Sequence, residues 1–141
     1  MTLARKIGYV VLAFAVFALA INTPGIIEGQ HKMKAFRLVV ALHSHALGSR
    51  DYAAAYALGD EAFRNAITLE TFSAQQRAFE SDLGRLLSVD AQNFYVHGKG
   101  SPTRWVALVE EQQRYERGAL QFACEFHLEN ETWRLFGCKK V

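Results

Sequence analysis

Three of the side chains that could transfer a proton in this 141-residue chain stand at positions that bear on catalysis. His43 lies on an apolar helical stripe, and Asp51 and Asp60 are the candidate carboxylates. A general acid or base is most often a histidine or a carboxylate. Both aspartates, however, stand just before short helical segments, where Asp is favoured as an N-cap because it accepts a free backbone N–H group. The sequence therefore predicts caps for Asp51 and Asp60. It leaves His43 as a candidate base, but no carboxylate stands at a spacing that would support it, so no catalytic residue is predicted.

The histidines and cysteines do not have the spacing of a metal site. His43 and His45 are two residues apart and point in different directions on a helix. The chain has no CxxC and no HxxxH pair, so we expect no metal and no cofactor. Cys124 and Cys138 could instead form a disulfide in an oxidising compartment.

Whether that disulfide forms depends on the register of the last predicted hairpin. Pairing Leu128 with Trp133 collects the large apolar side chains on one face but sends Cys138 to the other face. A shift by one residue sets Cys124 opposite Cys138 and scatters the apolar side chains. A β-bulge would reconcile the two patterns. The sequence leaves the disulfide open.

The amino terminus has the pattern of a membrane segment. Arg5 and Lys6 precede residues 7–27, which carry no charge and would span about 30 Å as a helix. One interpretation is a secretory signal cleaved after Ala20, and the other is an uncleaved anchor. We take the anchor as the prediction, with 1–27 as the transmembrane segment and 28–141 as the soluble domain. The anchor residues would be Ile7, Val11, Phe14, Phe17 and Ile21.

The short, basic amino-terminal tail favours a single-pass protein of the inner membrane with its amino terminus inside. The carboxyl-terminal domain would then lie in the periplasm. A net charge of +2, without a basic cluster interleaved with aromatic residues, predicts no nucleic-acid partner.

Apolar periodicity and turn residues predict helices first and strands afterwards. Helices are expected over Gln30–Leu47, with Met33, Phe36, Val39, Val40, Leu42, His43, Ala46 and Leu47 on the apolar side, over Tyr52–Leu58, around Phe63 and over Leu69–Leu83. Strands are expected over Leu86–Val96, Arg104–Val109, Tyr115–Leu128 and Thr132–Lys140. The charged run Glu110–Arg117 is interpreted as a solvated crossing between strands. This order predicts an α+β fold with helices packed on a four-stranded antiparallel sheet.

Two segments resemble the nuclear-transport-factor-2-like superfamily, whose α+β domains are cone-shaped. They are the stretch from Leu47 through Asp51-Tyr-Ala-Ala-Ala-Tyr56 to the Leu69–Leu83 helix, and the ending Glu131-Thr-Trp133-Arg-Leu-Phe-Gly137. The resemblance implies a curved sheet around a long helix and an internal cavity. It implies His43, Tyr52, Tyr56 and Phe72 as the ligand-cavity candidates. Because this superfamily hosts both enzymes and binding modules, it does not by itself define a function.

The functional prediction is a non-enzymatic, membrane-anchored accessory or assembly subunit of a larger membrane complex. Tyr95, Trp105 and Phe136 are the candidates for an interaction surface, which would contact a partner or a second copy. The alternatives are a small-ligand-binding or isomerase-like domain that uses the cavity, and a structural component of a periplasmic secretion system.

Overall fold

The computed structural model describes residues 27–141, which contain four helices followed by four strands. Helix α1 runs from residue 27, where the described chain starts, to residue 48. The other elements are α2 (Tyr52–Ala57), α3 (Glu61–Ala66), α4 (Leu69–Leu83), β1 (Leu86–Lys99), β2 (Arg104–Tyr115), β3 (Gly118–Glu129) and β4 (Thr132–Lys140). Met33–Val141 form one compact unit.

The strands form one antiparallel sheet in the order β1-β2-β3-β4, with each strand beside its neighbour in sequence. Helices pack on this sheet, which confirms the predicted α+β class. The predicted anchor, including Ile7, Val11, Phe14, Phe17 and Ile21, lies outside the described residues except for its last position. Among residues 27–141, no helix is both long enough and apolar enough to cross a membrane.

The short helices begin at the predicted caps. The Asp51 carboxylate accepts a hydrogen bond from the Ala54 backbone N–H at 3.1 Å, and that of Asp60 accepts from Phe63 at 2.7 Å. Thr68 caps α4, and Gly84 ends it. Since both aspartates are engaged with helix N-termini, neither is a free carboxylate for catalysis.

The buried side of α1 carries Phe36, Val40 and His43, as the apolar stripe predicts, together with Ala46 and Leu47. The prediction was wrong for Leu42, which is 52% exposed. The helical rotation of about 100° per residue places Leu42 beside Leu38 on the outward side, because the sheet covers only a narrow stripe.

The prediction was also wrong for the charged run that was interpreted as a solvated crossing. Strand β2 continues through Tyr115, and the connection to β3 is the two-residue turn Glu116-Arg117. Alternation then directs Glu111, Gln113 and Tyr115 inward, in line with Ala107 and Val109. A chain segment rich in charge therefore lies in the centre of the sheet.

A bulge in β4 resolves the register of the last hairpin. Leu128 pairs with Trp133 and Phe126 with Leu135, whereas Glu125 pairs with Gly137 and Cys124 with Cys138. Phe136 is the extra residue between these two registers. The apolar face is kept, and Cys124 and Cys138 are joined in a disulfide.

Candidate functional site

A cavity of about 290 Å³ lies between the inner face of the sheet and the helices. Its wall is mostly apolar and includes five phenylalanines, with a few polar side chains on one side. The apolar part is formed by Leu47, Phe63, Ala66, Ile67, Phe72, Phe79, Phe122, Leu135 and Phe136; Gly137 completes the wall, and the other lining residues are His43, Gln75, Gln76, Glu111, Gln113, Cys124 and Cys138. Among the described lining residues, Glu111 is the one acidic group and none is Lys or Arg.

The polar side of the cavity is built on a buried histidine–glutamate pair. His43 of α1 and Glu111 of β2 are 2% and 1% exposed. The His43 Nδ1 atom lies 2.9 Å from Oε1 of Glu111 and 3.2 Å from Oε2. The Ser44 hydroxyl donates to Oε2 at 3.0 Å. Two consecutive residues of one helix therefore hold this carboxylate in place.

The disulfide adjoins the same carboxylate. Cys124 Sγ lies 3.3 Å from Glu111 Oε1, and ligand-type atoms of Glu111, Cys124 and Cys138 all fall within 4.8 Å of one another. A disulfide sulfur carries no proton, so this contact is a close approach and not a hydrogen bond donated by sulfur. Nor does a bonded pair of sulfurs offer a thiolate to a metal ion.

A second polar pair follows Glu111 along β2. Gln113 and Tyr115 are 4% and 5% exposed, and the Tyr115 hydroxyl donates to Gln113 Oε1 at 2.6 Å. Burial raises the pKa of Tyr115 to about 12, and the nearby Glu80 charge adds to the effect. Tyr115 therefore keeps its proton and acts as a donor that orients the Gln113 side chain, which lines the cavity.

Of the four residues predicted to line a cavity, two line it in the structure and two do not. His43 and Phe72 line the cavity, and Tyr52 and Tyr56 are not among its described lining residues. The Tyr56 hydroxyl donates to the carbonyl oxygens of Arg64 and Ile67, and its ring packs against Phe72. Tyr56 thus stabilises the end of α3 and the connection to α4 from behind the cavity wall.

Tyr52 lies near the junction of α2 and α4 that Arg50 and Glu80 hold together. Arg50 Nη2 is 2.7 Å from Glu80 Oε1, which also accepts from the Leu86 backbone N–H at 2.9 Å. The hydrogen bond from Arg50 lowers the pKa of Glu80, and burial raises the pKa of Tyr52. This junction supports the helices that form one side of the cavity.

Of the three residues predicted for an interaction surface, two are exposed and one packs against the core. Tyr95 and Phe136 are 57% and 42% exposed, and Leu108, the partner of Tyr95 across the strands, is 39% exposed. Trp105 is half-buried and packs against the core, so it does not belong to this surface. The reason is alternation: Trp105 is three positions from Leu108 on β2, and its side chain points to the opposite face.

Sequence reasoning missed Glu111, on which the pair depends. The charged and polar residues around it are typical of a solvated connection, although every second residue from Ala107 to Tyr115 is buried. That period of two, continued from the apolar part of the strand, was the signal that could have identified Glu111 as an inward residue. Its pairing with His43, 68 positions away, is not visible in the local pattern.

Searches against models of protein families and against curated proteins found no match for this chain.

Proposed function

We propose that this domain binds a small, largely apolar molecule in the cavity and that the His43–Glu111 pair engages the polar group of that molecule. The observation that carries the proposal is a buried carboxylate and imidazole in the wall of a cavity of about 290 Å³. This size and this combination of aromatic rings with few convergent polar groups are typical of small-molecule sites.

The energetic cost of the pair supports a functional role. Removing a carboxylate from water is expensive, and replacing a buried ion pair with apolar residues often stabilises a protein. Glu111 has two donors, from His43 and Ser44, and none of its described partners is Lys or Arg. Buried titratable pairs in clefts are candidates for functional sites, because a role in binding or proton transfer explains why a protein keeps a pair that is costly to bury.

The orientation of the pair is suited to proton exchange. When Nδ1 of a histidine donates to a carboxylate, the other ring nitrogen is the one that accepts or delivers a proton. Glu111 would thus hold His43 in the tautomer of a general base. Such an arrangement supports isomerase-like chemistry on a bound molecule, in addition to binding.

The cavity can be tested with N-phenylnaphthylamine, a neutral fluorophore with an apolar body and one N–H donor. We expect saturable fluorescence enhancement at one site on the whole chain. Glu111→Gln keeps the side-chain volume but removes the charged acceptor, so affinity should fall about tenfold, as for a lost hydrogen bond to a charged group.

Glu110→Gln is the matched control because it removes the same charge from the neighbouring residue, whose side chain points to the other face of the sheet. It should leave the affinity within about twofold of wild type, since it touches nothing in the cavity. Equal loss in both variants, or no saturable binding to the wild-type chain, would contradict the proposal.

A second candidate is the accessory-subunit function, which the exposed surface of Tyr95, Leu108 and Phe136 favours. Tyr95 and Leu108 pair directly across β1 and β2, and the Phe136 ring stacks on His127 at a centroid distance of 4.3 Å. Three large apolar side chains on one face are the kind of patch that a protein partner covers.

The accessory-subunit function is tested by sizing the particle extracted from its native membrane. The double variant Tyr95→Ser, Leu108→Ser should shrink a large particle to the size of the chain alone. Leu38→Ser is the control, because it removes a 64% exposed side chain from helix α1 instead of the sheet. A particle of unchanged size in the double variant would exclude this surface as the docking site.

The membrane anchor, the periplasmic location and the resemblance to the nuclear-transport-factor-2-like superfamily stay predictions. The Cys124–Cys138 disulfide supports a location outside the cytoplasm, because disulfides persist in oxidising compartments.

A further inference from the structure

The disulfide in the cavity wall joins two cysteines in different environments. Cys138 is exposed, whereas Cys124 is 1% exposed and touches Glu111 Oε1. The same oxygen is 2.9 Å from His43 Nδ1. One half of the disulfide is therefore accessible to an attacking thiol, and the other half adjoins a buried acid–base pair.

We propose that the Cys124–Cys138 disulfide is redox-active and exchanges with dithiols, with Glu111 delivering the proton that Cys124 requires. This activity is separate from the binding of a small apolar molecule and does not depend on it. The partner is a dithiol, either a small molecule or a pair of cysteines on another protein, because two electrons must be supplied.

In the first step, one thiolate of the dithiol attacks Cys138 Sγ. A sulfur–sulfur bond forms between the dithiol and Cys138, and the bond between Cys138 and Cys124 breaks. Its electron pair leaves with Cys124 Sγ. His43 Nδ1 passes its proton to the Glu111 carboxylate, which passes it on to Cys124 Sγ, and solvent supplies a proton to the other ring nitrogen of His43.

In the second step, the remaining thiolate of the dithiol attacks its own sulfur in the mixed disulfide. The dithiol is oxidised to a disulfide, and Cys138 leaves as a thiolate that solvent protonates. In total, the dithiol loses two electrons and two protons, and the protein gains two thiols.

The proton transfer to Cys124 follows from its surroundings. A thiolate released there would be buried beside a carboxylate, and two like charges in a site of low dielectric strongly disfavour each other. The leaving thiol departs faster when its negative charge is neutralised. Glu111, at 3.3 Å, is the group in contact with that sulfur, and His43 connects it to the cavity.

Reduction of the whole chain by dithiothreitol tests the proposal. In wild type the rate should exceed the rate of global unfolding, and its pH profile should show an inflection besides the ionisation of dithiothreitol. Glu111→Gln should lower the rate at neutral pH by about tenfold or more and remove that inflection, as expected when a general acid is lost. Glu110→Gln should behave as wild type.

The position of attack gives a second test on the wild-type chain alone. After brief exposure to glutathione and an acid quench, peptide mass mapping should find the mixed disulfide on Cys138. Glutathione on Cys124, or reduction that proceeds only at the rate of unfolding, would overturn the proposal. So would a Glu111→Gln chain with native circular dichroism and an unchanged rate.

Discussion

At the scale of single residues, Glu111 determines what the cavity can do. Its carboxylate contacts an imidazole, a hydroxyl and a disulfide sulfur, all within 3.3 Å. The imidazole and the hydroxyl each donate to an oxygen that would otherwise be buried without a partner, which is costly. Because of these contacts, substitution of Glu111 should alter both ligand binding and thiol exchange.

Tyr115 predicts a pH dependence of stability at alkaline pH. Its pKa rises from the ordinary value of 10.0 to about 12 in the folded chain, mainly through burial. As the pH rises from about 10 to 12, the unfolded chain therefore loses this proton first, and the free energy of unfolding falls. Tyr115→Phe should remove that part of the slope in urea denaturation series measured at several pH values.

The same substitution has a cost at neutral pH. Without the Tyr115 hydroxyl, the buried Gln113 oxygen loses its donor, so unfolding should be easier by about 1–3 kcal/mol at pH 8. Tyr95→Phe removes a hydroxyl from an exposed side chain and should change the value by less than about 0.5 kcal/mol. An alkaline slope in Tyr115→Phe as steep as in wild type would show that another group causes it.

At the scale of elements, the two aspartate caps form a matched pair that differs in burial. Each begins a helix of six residues, but Asp60 is 3% exposed and Asp51 is exposed. Asp60→Ala should lower the free energy of unfolding by about 1–2 kcal/mol and Asp51→Ala by about 0.5–1 kcal/mol. Urea denaturation measures both; a larger loss for Asp51→Ala would contradict this assignment of burial.

The helical half was predictable because its signals are local. A cap such as Asp60 or Thr68 acts within three residues of itself, and the apolar stripe of α1 repeats within a single helix. The bounds of β2 were not predictable, because charged residues such as those at its end are typical of connections between strands. What keeps Glu111 in a strand is its pairing with Ala91 on one side and Phe122 on the other, together with the contact of its side chain with His43, 68 positions away.

The bulge in β4 shows a second limit of local patterns. The apolar alternation of β4 and the pairing of the two cysteines require registers that differ by one residue. The sequence pattern is compatible with either register and does not decide between them. The extra residue, Phe136, satisfies both requirements and is left 42% exposed. Bulges often occur beside functional sites, and this one adjoins the cavity.

At the scale of the compact unit Met33–Val141, the two faces of the sheet have different characters. The inner face encloses the core, the cavity and the disulfide, and the outer face presents Tyr95, Leu108 and Phe136. The α+β class followed from the order of elements, since helices and then strands leave few arrangements. The cavity did not follow from the order of elements. Its volume depends on how side chains from seven segments pack together, and no local sequence pattern describes that packing.

The most direct test of the account is where a small apolar molecule binds. Nuclear Overhauser effects between N-phenylnaphthylamine and the isotope-labelled chain would locate it. We predict contacts from the fluorophore to the ring protons of His43 and Phe72, which line the cavity. Contacts confined to Tyr95 and Leu108 on the outer face, or no contacts at saturating fluorophore, would contradict the proposed binding function.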